Sequence, residues 1–317
     1  MATIILAAVL GAALAPWVPP VTPGEQQTHA IDPDVHRREV EAWQKARDAR
    51  LRSDSGWLTL VGLYWLQAGP NRFGAAADNQ LVLPAGSPAH AGTLRLEAGK
   101  VSVELTSGVA ATVAGQPITA AALKSDAGGA EPDVLTLGAV TLQIIERQGH
   151  LAVRVKDKNS AVRRAFKGMT YYPTDPRYRV VARFTPHAQP RAISVPSVLG
   201  HAEDLPSPGT VTFELDGKTY RLDPVIETPG DTQLFFIFRD QTAGKTTYGA
   251  GRFLYAELPK DLTRPGALVL DFNKAYTPPC AFTAYATCPL PPSQNRVATS
   301  IQAGERFDPN APHPGAH

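Results

Sequence analysis

The sequence predicts a mainly β protein: two antiparallel β domains behind one N-terminal helix. Three observations carry the prediction. From Trp57 onward apolar residues alternate with period two, turn residues recur every several positions, and 26 glycines with 29 prolines in 317 residues leave little room for long helices. A chain of this length also exceeds what one hydrophobic core usually serves, which divides it into 34–160 and 178–306.

Residues 1–23 come first. Ala2–Ala15 is an uncharged apolar run followed by prolines, with no charge before Glu25, and reads as a secretory signal with an uncleaved anchor as the alternative. The run is shorter than the about 20 residues a spanning helix needs. A periplasmic or secreted protein is expected, with a membrane as partner only if the segment stays attached.

Asp32-Pro33-Asp34 then forms a helix start, with Asp32 as cap and Pro33 where its missing N–H costs nothing. The helix should run over 34–53, with Val40, Trp43 and Leu51 on its apolar face and Gly56 closing it. Leu94–Leu105 and Val211–Leu222 read as hairpins, turning at Glu97-Ala98-Gly99-Lys100 and at Asp216-Gly217. Further strands are expected at Ala139–Arg147, Leu151–Lys156, Arg179–Thr185, Gln233–Arg239 and Ala267–Asp271. The two prolines of Thr170–Pro176 would interrupt a ladder and suit a crossover. The tail, 307–317, has no apolar periodicity and reads as disordered.

Charge narrows the function. With 31 Lys+Arg against 29 Asp+Glu the chain has no field that would gather nucleic acid, so none is expected as a partner. The histidines lack the spacing of a metal helix, and no metal site is expected. No motif names a cofactor, and none is assigned. Ser194 and Ser197 near His201 lack a surrounding Gly-x-Ser-x-Gly. Asp240, before Thr242–Thr246, reads as a solvated turn between strands.

The densest chemistry lies in Asp271–Phe282 and on through Cys288-Pro289-Leu290-Pro291-Pro292 to Asn295-Arg296. Cys280 and Cys288, eight positions apart, suit a disulfide fixing a proline-stiffened loop if the chain is exported; a nucleophilic thiol and a two-thiolate metal site are the alternatives. Asp271 and Asn273 share a face at a strand end, as an Asx turn or as a substrate contact. In Tyr248-Gly249-Ala250-Gly251-Arg252 the glycines permit close approach and the guanidinium could hold an anion, or pair with Asp271 inside the core.

Thr247–Leu254, Asp271–Tyr276, Pro278–Phe282, Cys288–Pro292, Asn295-Arg296 and Ala303-Gly304-Glu305 resemble the signature of a bacterial family catalogued as domain of unknown function 1684, and Gly56-Trp57-Leu58 with Val61-Gly62-Leu63 is similar to it. The resemblance implies a bacterial protein and brings no activity. Residues 66–147 are similar to a forkhead-associated (FHA) β-sandwich through Gly69–Gly74, Ser87–Ala91, Ala114-Gly115-Gln116 and Leu137–Val140. That resemblance implies an FHA-like sandwich without phosphothreonine binding, because Ala75 and Ala114 stand where the phosphate-binding arginine and an asparagine belong.

The expected function is binding of a small polar or anionic molecule in a C-terminal pocket made by Tyr248, Arg252, Asp271, Asn273, Tyr276 and Arg296. One alternative is a hydrolase in which Asp271 activates water while Arg252 and Asn273 stabilise an anion. The other is a structural or interaction protein with no small-molecule site.

Overall fold

The computed structural model describes residues 31–308. The expected signal and the tail from 309 onward lie outside the described residues. Helix α1 is Pro33–Arg52, and the Asp32 carboxylate accepts from the Asp34 and Val35 N–H groups at 2.9 and 3.0 Å. Its buried stripe is His36, Val40, Arg47 and Leu51, so two polar side chains share the inward face with the apolar ones. Among the described residues no helix is long and apolar enough to cross a membrane.

The N-terminal domain is a two-sheet sandwich. One sheet orders Leu60–Trp65, His150–Asp157, Val140–Arg147, Val134–Leu137, Ala111–Val113 and Gln116–Ile118; the other orders Leu81–Val82, Gly69–Gly74, Gly92–Glu97, Lys100–Leu105 and Ala120–Leu123. The alternation seen in sequence does the packing. Leu142, Ile144, Val153 and Val155 from the first sheet meet Phe73, Leu94, Val101 and Val103 from the second in one core. The expected turn falls at Ala98-Gly99, both with positive φ.

The C-terminal domain packs a four-stranded sheet, ordered Lys218–Leu222, Ala202–Leu215, Arg179–Pro196 and Gly266–Asp271, against the two-stranded pair Gln233–Phe238 and Arg252–Glu257. Asp216 and Gly217 take φ of 53° and 71°, the tight turn that Asp-Gly favours. Gln233–Phe238 is apolar on both faces because both are covered. Leu234, Phe236 and Phe238 enter the main core, while Phe235 and Ile237 join a second layer with Ile193, Val195, Phe253, Cys280 and Cys288. Thr170–Tyr171, expected in a plain crossover, pairs instead with Glu305–Arg306. Phe307, expected in the disordered tail, is buried against the Tyr248 ring at 5.1 Å between centroids.

The inward polar residues of α1 bond to the C-terminal half. Arg47 donates Nε to Glu305 Oε1 at 2.8 Å and Nη2 to the Thr277 carbonyl at 2.9 Å, and Glu305 also accepts the Thr277 N–H at 2.7 Å. His36 Nε2 meets Asp271 Oδ2 at 2.9 Å. From the sandwich, Gln148 donates to the Ala202 carbonyl, and Leu60 accepts from Thr283. A long cleft runs where helix, sandwich and C-terminal sheets meet.

Candidate functional site

The cleft holds about 1730 Å³, above the roughly 300–1000 Å³ usual for small-molecule pockets. Part of its wall is aromatic, and the strand register explains why. Phe235 faces Tyr255 across the ladder, and their rings stack at 4.8 Å and 21°. Phe253 pairs through its backbone with Tyr276, and Tyr276 extends the row toward Tyr255 and toward Trp43 of α1. The Arg47 guanidinium lies 4.7 Å from the Tyr276 ring centroid. Burial pushes the Tyr276 phenol well above its usual range, so it stays protonated and polar rather than charged.

On the sandwich side stands Arg154. Strand alternation sends Val153 and Val155 into the core and Arg154 and Lys156 outward, where both cations lie over the Trp57 ring. The Arg154 guanidinium sits 5.0 Å from the Trp57 ring centroid and lines the cleft, and among the described residues its Nε is buried without a hydrogen-bond partner. Desolvation, aided by the nearby Arg147, lowers its pKa to about 10. Lys156 donates to the Ser55 carbonyl at 2.7 Å, and burial with the Arg154 charge brings its pKa down to about 8. The fully buried arginines differ: Arg47 has Glu305, and Arg252 has Asp240.

The six residues expected to share a pocket do not converge. Asp271 and Tyr276 line the cleft. Arg252 is 1% exposed inside the core, donating through both Nη atoms to Asp240 Oδ1 at 3.2 Å and to the Ile301 and Ala303 carbonyls, with Nε left unpaired among the described residues. Its partner is Asp240 rather than Asp271, and Asp240, expected in a solvated turn, is buried by that pair and by Thr242 and Ile301. The glycine beside it permits close approach to protein, not ligand. A Cβ on Gly251 would stand 2.6 Å from the Phe238 carbonyl oxygen and 2.6 Å from Pro291.

Asn273 clips Asp175, accepting its N–H and donating to its carbonyl, both at 3.0 Å. Arg296 is exposed on the strand-like segment bridged to Arg239, and Tyr248 packs beneath the cysteine loop. Asp271 accepts from the Asn273 N–H and side-chain amide, and it faces His36 and Lys274. These contacts occupy both carboxylate oxygens of Asp271, Oδ1 with Asn273 and Oδ2 with His36 and Lys274.

Cys280 and Cys288 are free thiols in this structure, side by side, with the Cys280 N–H 3.1 Å from Cys288 Sγ. The Cys288 thiol, the Tyr248 phenol and local N–H groups hold the Cys280 thiol below its usual range, although burial opposes them. Cys288 lines the cleft with Thr287 and Pro289.

Sequence reasoning missed Arg154, Arg47, Phe235 and Tyr255. The outward position of Arg154 on an alternating strand gave no hint that another domain would cover it. Trp57, in the Gly56-Trp57-Leu58 motif, was the available signal.

Residues 164–306 match the model of a family described as "Protein of unknown function (DUF1684)". An uncharacterized protein from Haloarcula marismortui, solved by NMR, is 36% identical over 46% of this chain and 80% of that one, with a TM-score of 0.40. The chain belongs to the DUF1684 family. The DUF1684 match takes in the C-terminal motifs and ends short of Gly56–Leu63. The FHA domain of FhaA, crystallised with an intracellular domain of another protein, is 22% identical over 30% of this chain and 97% of that one, with a TM-score of 0.21. The FHA-2 domain of a Mycobacterium tuberculosis ABC transporter is 30% identical over 28% of this chain and 77% of that one, also at 0.21. No curated protein matches.

Proposed function

We propose that this protein binds a small organic anion in the cleft between α1, the N-terminal sandwich and the C-terminal sheets. One observation carries the reading. Arg154 presents a largely buried guanidinium to the cleft over Trp57; among the described residues no carboxylate forms an ion pair with it, Asp126 attracting it only from farther off, and its Nε is unsatisfied. Burying an unpaired cation is costly, and a carboxylate or phosphate on the ligand would supply the missing charge and hydrogen-bond acceptors. The Phe235, Phe253 and Tyr276 rings offer an apolar surface for the body of such a molecule.

The hydrolase arrangement finds less support. Arg252 and Asn273 lie away from the cleft, and Asp271 is enclosed by donors. Export belongs to the same proposal and rests on the apolar run at Ala2–Ala15. The test is thermal denaturation against sulfate, phosphate, acetate, benzoate, citrate and glucuronate, with glucose as a neutral control. An organic anion should raise Tm in the wild type and not in Arg154→Gln, since only a ligand bound to the native state adds RT ln(1 + [L]/Kd). A flat response to every anion, or the same shift in Arg154→Gln, overturns the proposal.

A further inference from the structure

We propose that Cys280 and Cys288 form a thiol–disulfide exchange site that reacts with small-molecule disulfides entering through the cleft, with Cys288 as the entry thiol and Cys280 as the resolving thiol. This goes beyond anion binding and needs only access to the cleft. The two sulfurs are held together by the fold, not by chance proximity on a loose loop. The Val198 N–H donates to the Cys288 carbonyl at 3.1 Å, the Leu290 N–H donates to the Pro196 carbonyl at 2.6 Å, and Cys280 is the central residue of the short helical turn Pro279–Ala281. Both thiols are buried, Cys280 at 1% and Cys288 at 4% exposure, and Cys288 is the one that lines the cleft.

Position assigns the order of events. The thiolate is the reacting form, and a thiol–thiolate hydrogen bond lets the charge sit on either sulfur. The hydrogen bond with Cys280 and burial hold the Cys288 thiol well above its usual range, so the resting charge lies on Cys280; when Cys288 passes its proton to Cys280, the charge moves to the cleft-lining sulfur, where the Arg154 cation offsets part of that cost. Cys288 thiolate attacks one sulfur of the disulfide RSSR, forming a mixed disulfide and releasing RS⁻. Cys280 then loses its proton, with the Tyr248 hydroxyl and backbone N–H groups stabilising the thiolate. It attacks the Cys288 sulfur, forming Cys280–Cys288 and releasing a second RS⁻. The protein dithiol loses two electrons, RSSR gains them, and both protons end on the two RSH products.

The experiment incubates the reduced full chain with glutathione disulfide and reads the products by mass spectrometry after alkylation. Wild type should give the internal disulfide with little lasting adduct. Cys280→Ser should trap glutathione on Cys288, while Cys288→Ser should react far more slowly. Arg154→Gln should slow the wild-type reaction by about tenfold if it raises the thiol pKa by about one unit, and Arg154→Lys should restore most of the rate. Near-ultraviolet circular dichroism of each variant checks that the fold is kept. Equal or faster adduct formation in Cys288→Ser than in Cys280→Ser overturns the order of events. No internal disulfide in folded wild type overturns the site. A rate unchanged in folded Arg154→Gln removes the role given to the cation.

Discussion

Replacing Arg154 with glutamine should make the unliganded protein more stable, an unusual direction for a buried polar residue. A guanidinium held at about 10 rather than 12.5 costs about 3 kcal/mol in the folded state, at about 1.4 kcal/mol per pH unit. The contact with Trp57 at 5.0 Å returns about 1 kcal/mol. Glutamine keeps part of the stem packing and carries no charge, so Arg154→Gln should gain about 1–2 kcal/mol at pH 7. Urea denaturation of wild type and variant, in a buffer of low ionic strength without organic anions, measures the difference through the midpoint at constant slope. A loss of about 1 kcal/mol or more would mean that the guanidinium already has its counter-charge within the protein, and the ligand argument would fall with it. Stability given up at one residue for the sake of binding is a familiar pattern in functional sites.

Arg252→Ala should cost about 3–5 kcal/mol, because it leaves Asp240 buried and unpaired, and it should not alter any anion-induced shift in folded protein. Chemical denaturation with a parallel thermal-shift assay reads both. Lys156 binds its proton more weakly folded than unfolded, so the unfolded chain holds more protons between about 8 and the ordinary 10.5. Its contribution should therefore make stability rise with pH across that window, and Lys156→Gln should remove this rise when compared with wild type; an identical pH slope in both refutes it. Asn273→Leu should cost about 2–3 kcal/mol by leaving the Asp175 backbone groups unpaired, without changing anion binding. If the chain is exported, mass spectrometry of the mature protein should find an N-terminus beyond Ala15.

Local patterns determined much of the architecture from sequence alone. Asp32-Pro33 fixed the start of α1, since a carboxylate cap and a proline satisfy groups only a few residues away. Asp216-Gly217 fixed a hairpin turn, and alternation at Val153 and Val155 fixed which face of the sandwich meets the core. Asp271 and Tyr276 were legible as cleft residues because they belong to a dense polar and aromatic segment at a strand end.

Only the tertiary structure decided the partners of the charged residues. Arg252 and Arg154 both belong to strands, yet one is closed in the core by Asp240, which lies twelve positions away, and the other makes no ion pair among the described residues and lines the cleft. Arg47 finds Glu305 across 258 positions of chain. The physical reason is that alternation reports which side of a strand a residue occupies, but the burial and charge balance of that side depend on what later packs over it. Arg154 lies over Trp57 and lines a cleft that α1 and the cysteine loop also line, and that meeting of distant segments turns an ordinary outward arginine into the cation on which the proposed function rests.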